Sequence, residues 1–218
     1  MGMLQRFWAS TIGKKVVMAV TGIILVGFVF AHMAGNLQMF LGAHVMDRYA
    51  AFLKSSMELL WILRITLLVA VVLHIISAYQ LTMMNRRARP AGYAKHELAA
   101  ATWASRSMRV GGVLIAVFIV YHLLHFTTGT LHPAFSHTAV YGNVILGFRS
   151  PWVVAFYVVA MAFLGLHLFH GVWSAFRTLG VAKPSPAPLH RRVALVVAVV
   201  VWAGFTVIPV AVLLGILQ

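Results

Sequence analysis

The chain has 218 residues, of which 62% are hydrophobic and only 9% charged, and its mean hydropathy is +0.94. Soluble domains keep about 25% of their residues charged, so this balance excludes an ordinary globular protein and indicates a polytopic membrane protein. Lys and Arg total 17 against 3 Asp and Glu, a formal charge of +14. The basic residues lie between apolar stretches, which marks them as topology signals and contacts to anionic lipid headgroups rather than a nucleic-acid surface.

The chain opens with "MGMLQRFWASTIGKK" and runs into a long apolar stretch with no cleavage pattern, so a retained first helix is expected. Five stretches are long enough to span a bilayer, at about 16–40, 59–84, 109–130, 152–176 and 193–217. The connections are polar or rich in turn residues, and none is long enough for a separate folded unit. The expected fold class is therefore an all-α membrane protein, one domain over residues 1–218, with the first four spans forming the functional bundle. Thirteen of the 17 basic residues fall on the N-terminal segment and the second and fourth connections. The positive-inside rule then places the N-terminus in the cytoplasm and the C-terminus outside, as for a multi-pass protein of a bacterial inner membrane.

Histidine within a span is costly, and a functional role is the first expectation. The first span carries His32 and the second His74. The third carries His122 and His125 in "YHLLHF", the fourth His167 and His170 in "GLHLFHGVWS", and the fifth none. At about 1.5 Å rise per residue, His32 and His122 lie roughly 24 and 20 Å from the cytoplasmic side, and His74 and His167 roughly 15 and 14 Å. The four sort into two levels, each with two histidines from different helices. That is what bis-histidine ligation of haem iron requires, and two levels imply two b-type haems.

Within each H-x-x-H the rings lie about 60° apart around the helix, so the two members cannot hold one iron from opposite faces. Depth favours His167 over His170 and leaves His122 and His125 open. With no cysteine there is no disulfide, no thiolate-held iron–sulfur cluster and no c-type haem attachment, so any metal centre rests on histidine. Di-iron and zinc hydrolase sites need carboxylates, and the only acids are Asp47, Glu58 and Glu97, all outside the spans. Small residues beside the histidines, Gly27, Ala31, Gly35, Ala78, Gly111, Gly112, Gly165 and Gly171, are expected to leave room for a flat ring.

Taken in order, "FAHMAGNL", "VVLHIISAYQLTMMNRRAR", "WASRSM", "YHLLHF" and "LHLFHGVWSAFRTLG" resemble the type B (dihaem) cytochrome b membrane anchor of succinate:quinone oxidoreductases and fumarate reductases. The H-x-x-H-G-x-W-S-A-F-x-T-L-G string is the most specific piece. The resemblance implies two haems b, a quinone substrate with menaquinone expected, and docking of a flavoprotein and an iron–sulfur subunit. It implies axial ligands at His32 (followed by Asn36), His74, His122 and His167, with the second span paired to the fourth and the first to the third. It marks His125 and His170 as the less essential members of their pairs.

The implied reaction is electron transfer between the iron–sulfur partner and membrane quinone. No nucleotide fingerprint is present, so the dicarboxylate chemistry belongs to the partner and this chain supplies no catalytic residue of its own. Ser105, Arg106, Arg177 and His170 are candidates for haem propionates or for a place beside the ring. Glu58, His44 and Arg64 are candidates for quinone contacts. Two alternatives remain: a dihaem cytochrome of another quinone-linked dehydrogenase (hydrogenase or formate dehydrogenase type), and a haem-free transporter that uses the histidines as a proton relay.

Overall fold

The computed structural model describes residues 2–88, 103–181 and 189–218. Among these residues eight α-helices follow one another: α1 Met3–Ala9, α2 Thr11–Asn36, α3 Ala43–Ser55, α4 Met57–Ala88, α5 Trp103–Phe126, α6 Val140–Gly147, α7 Pro151–Thr178 and α8 Leu189–Leu213. A 3-10 turn, Leu37–Leu41, extends α2. Five helices, α2 with its extension, α4, α5, α7 and α8, are long and apolar enough to cross a membrane, and no strand occurs among the described residues. The all-α, five-span class expected from the sequence is what is observed.

The boundaries differ instructively. The third span was expected at 109–130 and lies at Trp103–Phe126; the fifth was expected at 193–217 and lies at Leu189–Leu213. Hydropathy discounts Arg106, Arg109, Arg191 and Arg192, yet the helices continue through them. A span satisfies its backbone groups internally, and arginine at its end extends its head towards the headgroups. At the other ends, turns at Gly129 (φ 75°) and Gly215 (φ 70°) stop both helices short of the apolar run. Three short helices were not anticipated. Of these, α1 folds back on α2, and α3 and α6 pack on each other beyond the spans.

The α1–α2 corner is fixed locally. Ser10 caps α2 by accepting the Gly13 N–H at 2.9 Å. A methyl group at Gly13 would collide with the Phe7 carbonyl, so the backbones meet there only because the residue is glycine. Lys14 donates to the Trp8 carbonyl and sits over the Trp8 ring.

The spans pack closely in the order α4–α2–α7–α5, with α8 against α7 and α2. Among the described residues, α4 with α7 and α2 with α5 are not closely packed pairs; they are second neighbours in this row. One core cluster, centred on Met39, Met46, Phe148, Tyr157 and Ile208, joins the end of the bundle where α2 stops and α7 begins to α3 and α6. A second, of Met33, Leu168, Ala198 and Val201, locks α8 into the groove between α2 and α7. The fifth span is thus an integral wall. Elsewhere Ile23, Leu68, Val72, Val117, Val159 and Val199 are exposed, a surface that only hydrocarbon solvates without penalty.

Candidate functional site

Four histidines from four spans meet in two pairs. His74 on α4 faces His167 on α7 with ring centroids 6.2 Å apart, and His32 on α2 faces His122 on α5 at 5.8 Å. Each pair bridges helices that are second neighbours in the row, so side chains rather than backbones close the distance. The first pair lies nearer the end of the bundle where α2 begins, called here the near end; the second lies towards the far end.

Local sequence positions these rings. Thr21 on α2 gives its hydroxyl proton to the Val17 carbonyl at 2.7 Å, which leaves its oxygen to accept from His74 Nδ1 at 3.2 Å. His74 Nε2 is then the free nitrogen. A methyl group at Gly22, one residue on, would come within 3.3 Å of the same ring. Asn36, one helical turn after His32, donates to the His32 carbonyl at 2.7 Å and lies 3.3 Å from its Nδ1. Phe28 stacks on His32 from the turn before, and Phe205 of α8 approaches the same ring at 5.7 Å. His167 Nδ1 is buried without a hydrogen-bond partner among the described residues.

His122 and His125 separate cleanly. His122 faces His32, whereas His125, 1% exposed, turns away from it into a cluster with Phe126, His132 and Phe148. Tyr157 of α7 stands between the two histidines, its hydroxyl 3.3 Å from His122 Nδ1 and 3.1 Å from His125 Nδ1. Beyond them His132 Nε2 donates to the Asn143 carbonyl at 2.8 Å, and its Nδ1 accepts the Ala134 N–H at 3.1 Å. Tyr157, Thr21, His132 and Asn143 were not singled out by sequence. Their partners lie on other elements, and no spacing rule along the chain reports such contacts.

The remaining candidates are more scattered. His170 is half-buried and makes no hydrogen bond among the described residues. Ser105 and Arg106 lie in the first turn of α5, and exposed Arg177 in the last turn of α7 approaches the Trp173 ring; all three are at the near end. Towards the far end His44 on α3 and Glu58 and Arg64 on α4 are all exposed, and Arg64 lies over the Trp61 ring. The structure does not bring these three together. Asp47 is different: its carboxylate accepts the Tyr141 N–H at 2.9 Å, capping α6 from α3.

The small residues divide as well. Among the described residues, no atom beyond their own helix backbone and chain neighbours lies within 4 Å of a methyl group placed on Gly27, Gly112 or Gly171. Gly35 instead receives Tyr49, Gly111 receives Phe163, and Gly165 receives Trp202. Those three serve packing, which corrects the expectation that they make room for a ring.

Residues 83–207 match the family described as succinate dehydrogenase/fumarate reductase transmembrane subunit. The chain belongs to this family. The match includes His122, Tyr157 and His167 and leaves His32 and His74 outside it. No curated protein and no solved structure matched. Membership makes the chain a membrane subunit of a succinate dehydrogenase or fumarate reductase complex, and it implies haem b, quinone and the flavoprotein and iron–sulfur partners of that complex.

The histidines fit such a group. Two imidazoles on one iron place their ring centres roughly 6 Å apart, from a metal–nitrogen bond of about 2 Å on each side. Both observed pairs have this separation. Among the described residues no three His, Asp or Glu side chains converge as a bare metal ion would need. Paired histidines instead suit an iron whose other positions are filled by a porphyrin.

Proposed function

We propose that this chain is the dihaem cytochrome b anchor of its complex, relaying electrons between the iron–sulfur subunit and membrane quinone. His74 and His167 would hold the near-end haem, and His32 and His122 the far-end haem. The observation that carries this reading is the meeting of exactly these four side chains, in two pairs, across helices that do not pack against each other. Haem b supplies one-electron carriage when bound.

The chain's own residues do the rest. Thr21 holds the proton on Nδ1 of His74, which directs Nε2 towards His167. Phe28 stacks on the His32 ring, and Asn36 donates to the His32 carbonyl behind it. Met33, Leu168 and Val201 keep the middle of the bundle dry. Ser105, Arg106, Arg177 and His170 are placed at the near end, where propionates of the near haem would need donors and positive charge. Glu58, His44 and Arg64 stand on the side proposed for quinone contact, where quinone chemistry also requires exchange of protons with water. Menaquinone is the quinone proposed.

The basic near end is proposed to face the cytoplasm and to receive the iron–sulfur subunit, in a bacterial inner membrane. Three of the basic residues behind that orientation, Arg89, Lys95 and Lys183, lie outside the described residues. The test is direct: purified protein should be red, with b-type α-bands and two haems per chain by pyridine haemochrome. A colourless preparation, from cells that assemble the whole complex, would refute the reading and favour a haem-free role.

A further inference from the structure

Among the polar side chains near the four histidines, one is placed to bridge two of them. Tyr157 is 6% exposed, deep in α7, and its hydroxyl touches two histidines at once. An aromatic core residue needs no hydroxyl; phenylalanine would fill the same space. Phe118, Phe126 and Phe148 already pack edge-on around its ring at 4.8 to 6.0 Å. The hydroxyl therefore asks for its own explanation.

The proton arrangement follows from the ligand assignment. An imidazole that binds iron through Nε2 is neutral and carries its proton on Nδ1, which makes His122 Nδ1 a donor. The Tyr157 oxygen must then accept from His122, and its own proton has one place left to go, His125 Nδ1. A chain of fixed direction results: His122 Nδ1–H to Tyr157 oxygen, Tyr157 O–H to His125 Nδ1. His125 is held for this role. Its ring is closed in by Phe126 at 4.0 Å and by His132, and His132 is itself pinned through both nitrogens. Gly147 completes the socket, since a methyl group there would press on Phe126 and on His125 Cε1 at about 3 Å.

We propose that Tyr157, oriented by His125, is the positioning residue of the far-end haem: it fixes the ring of His122 and strengthens its donation to iron. This rests on the proposed ligand set, and it gives His125 a role that is not ligation. An acceptor on the distal ring nitrogen makes an imidazole a stronger base and favours the ferric state. The near-end pair lacks an equivalent phenol, since His74 meets the Thr21 hydroxyl and His167 Nδ1 has no partner among the described residues.

The test is a spectroscopic redox titration of the assembled, haem-loaded complex carrying Tyr157→Phe. Both haems should be retained, the far-end midpoint potential should rise, and the near-end potential should stay where it is. His125→Asn should raise the same potential by less, because Tyr157 can still accept from His122 but is less polarised. The double variant should match Tyr157→Phe alone, since His125 acts only through the phenol. Unchanged potentials in Tyr157→Phe with two haems bound would overturn the proposal and leave the ligand assignment intact. So would additive effects of the two substitutions. Absence of haem from the unsubstituted complex would instead overturn the ligand assignment on which the proposal stands.

Discussion

Residue by residue, the scarce polar groups inside this chain sort by what they touch. Asp47 is scarce in kind but structural in its contact. As one of three acids it is a natural candidate for quinone chemistry, but its carboxylate is engaged at the N-terminus of α6, where it meets a backbone N–H. Replacing a capping carboxylate costs about 1 kcal/mol. Asp47→Ala should therefore lower the thermal stability of the detergent-solubilised protein by about that amount while haem content and potentials stay unchanged, as thermal unfolding and a redox titration would show. The histidines themselves were legible in the sequence because imidazole is conspicuous in hydrocarbon. So was Asn36, because one helical turn joins it to His32. Thr21 and Tyr157 were not, because a hydroxyl in a membrane helix is ordinary until the facing helix is known. For the same reason spacing left His122 and His125 unresolved; the resemblance favoured His122, and the direction in which α5 turns each ring distinguishes them physically.

Among elements, the five spans were readable from hydropathy and their ends were not. A transfer scale counts Arg106 and Arg191 against a span, although both continue the helix at a membrane edge. The sequence also gave no measure of how firmly α8 belongs to the bundle. Gly204 of α8 lies so close to Met33 that any side chain there would displace it, and Trp202 lies against Gly165 of α7. Glycine in this protein marks two different things, and substitution distinguishes them. Gly147→Ala forces a methyl group against Phe126 and His125 and should destabilise by about 1–3 kcal/mol, the usual cost of overpacking. Gly27→Ala adds its methyl group where no atom of a neighbouring described element lies within 4 Å, and should raise the unfolding temperature of haem-free protein slightly, since alanine favours a helix interior by up to about 1 kcal/mol. Comparing the two unfolding temperatures checks both statements.

For the whole molecule, the row α4–α2–α7–α5 brings four separate sequence features together as two spatial pairs. No pairwise packing of neighbours does this, because each histidine reaches past the helix beside it. Depth along the helices was enough to suggest the pairing, since rise per residue is fixed for any helix. The order of helices in the plane of the membrane depends on side-chain packing across the bundle, and hydropathy carries none of that information. The family match supplies the complex in which the chain works, and its limits, residues 83–207, leave His32 and His74 to be argued from geometry. The most direct test of the central claim is the haem count and redox titration of single His→Ala variants in the assembled complex. His74→Ala and His167→Ala should lose the same haem, His32→Ala and His122→Ala the other, and His170→Ala should keep both. Loss of haem from His170→Ala with retention in His167→Ala, or loss of the same haem from His32→Ala and His74→Ala, would contradict the account.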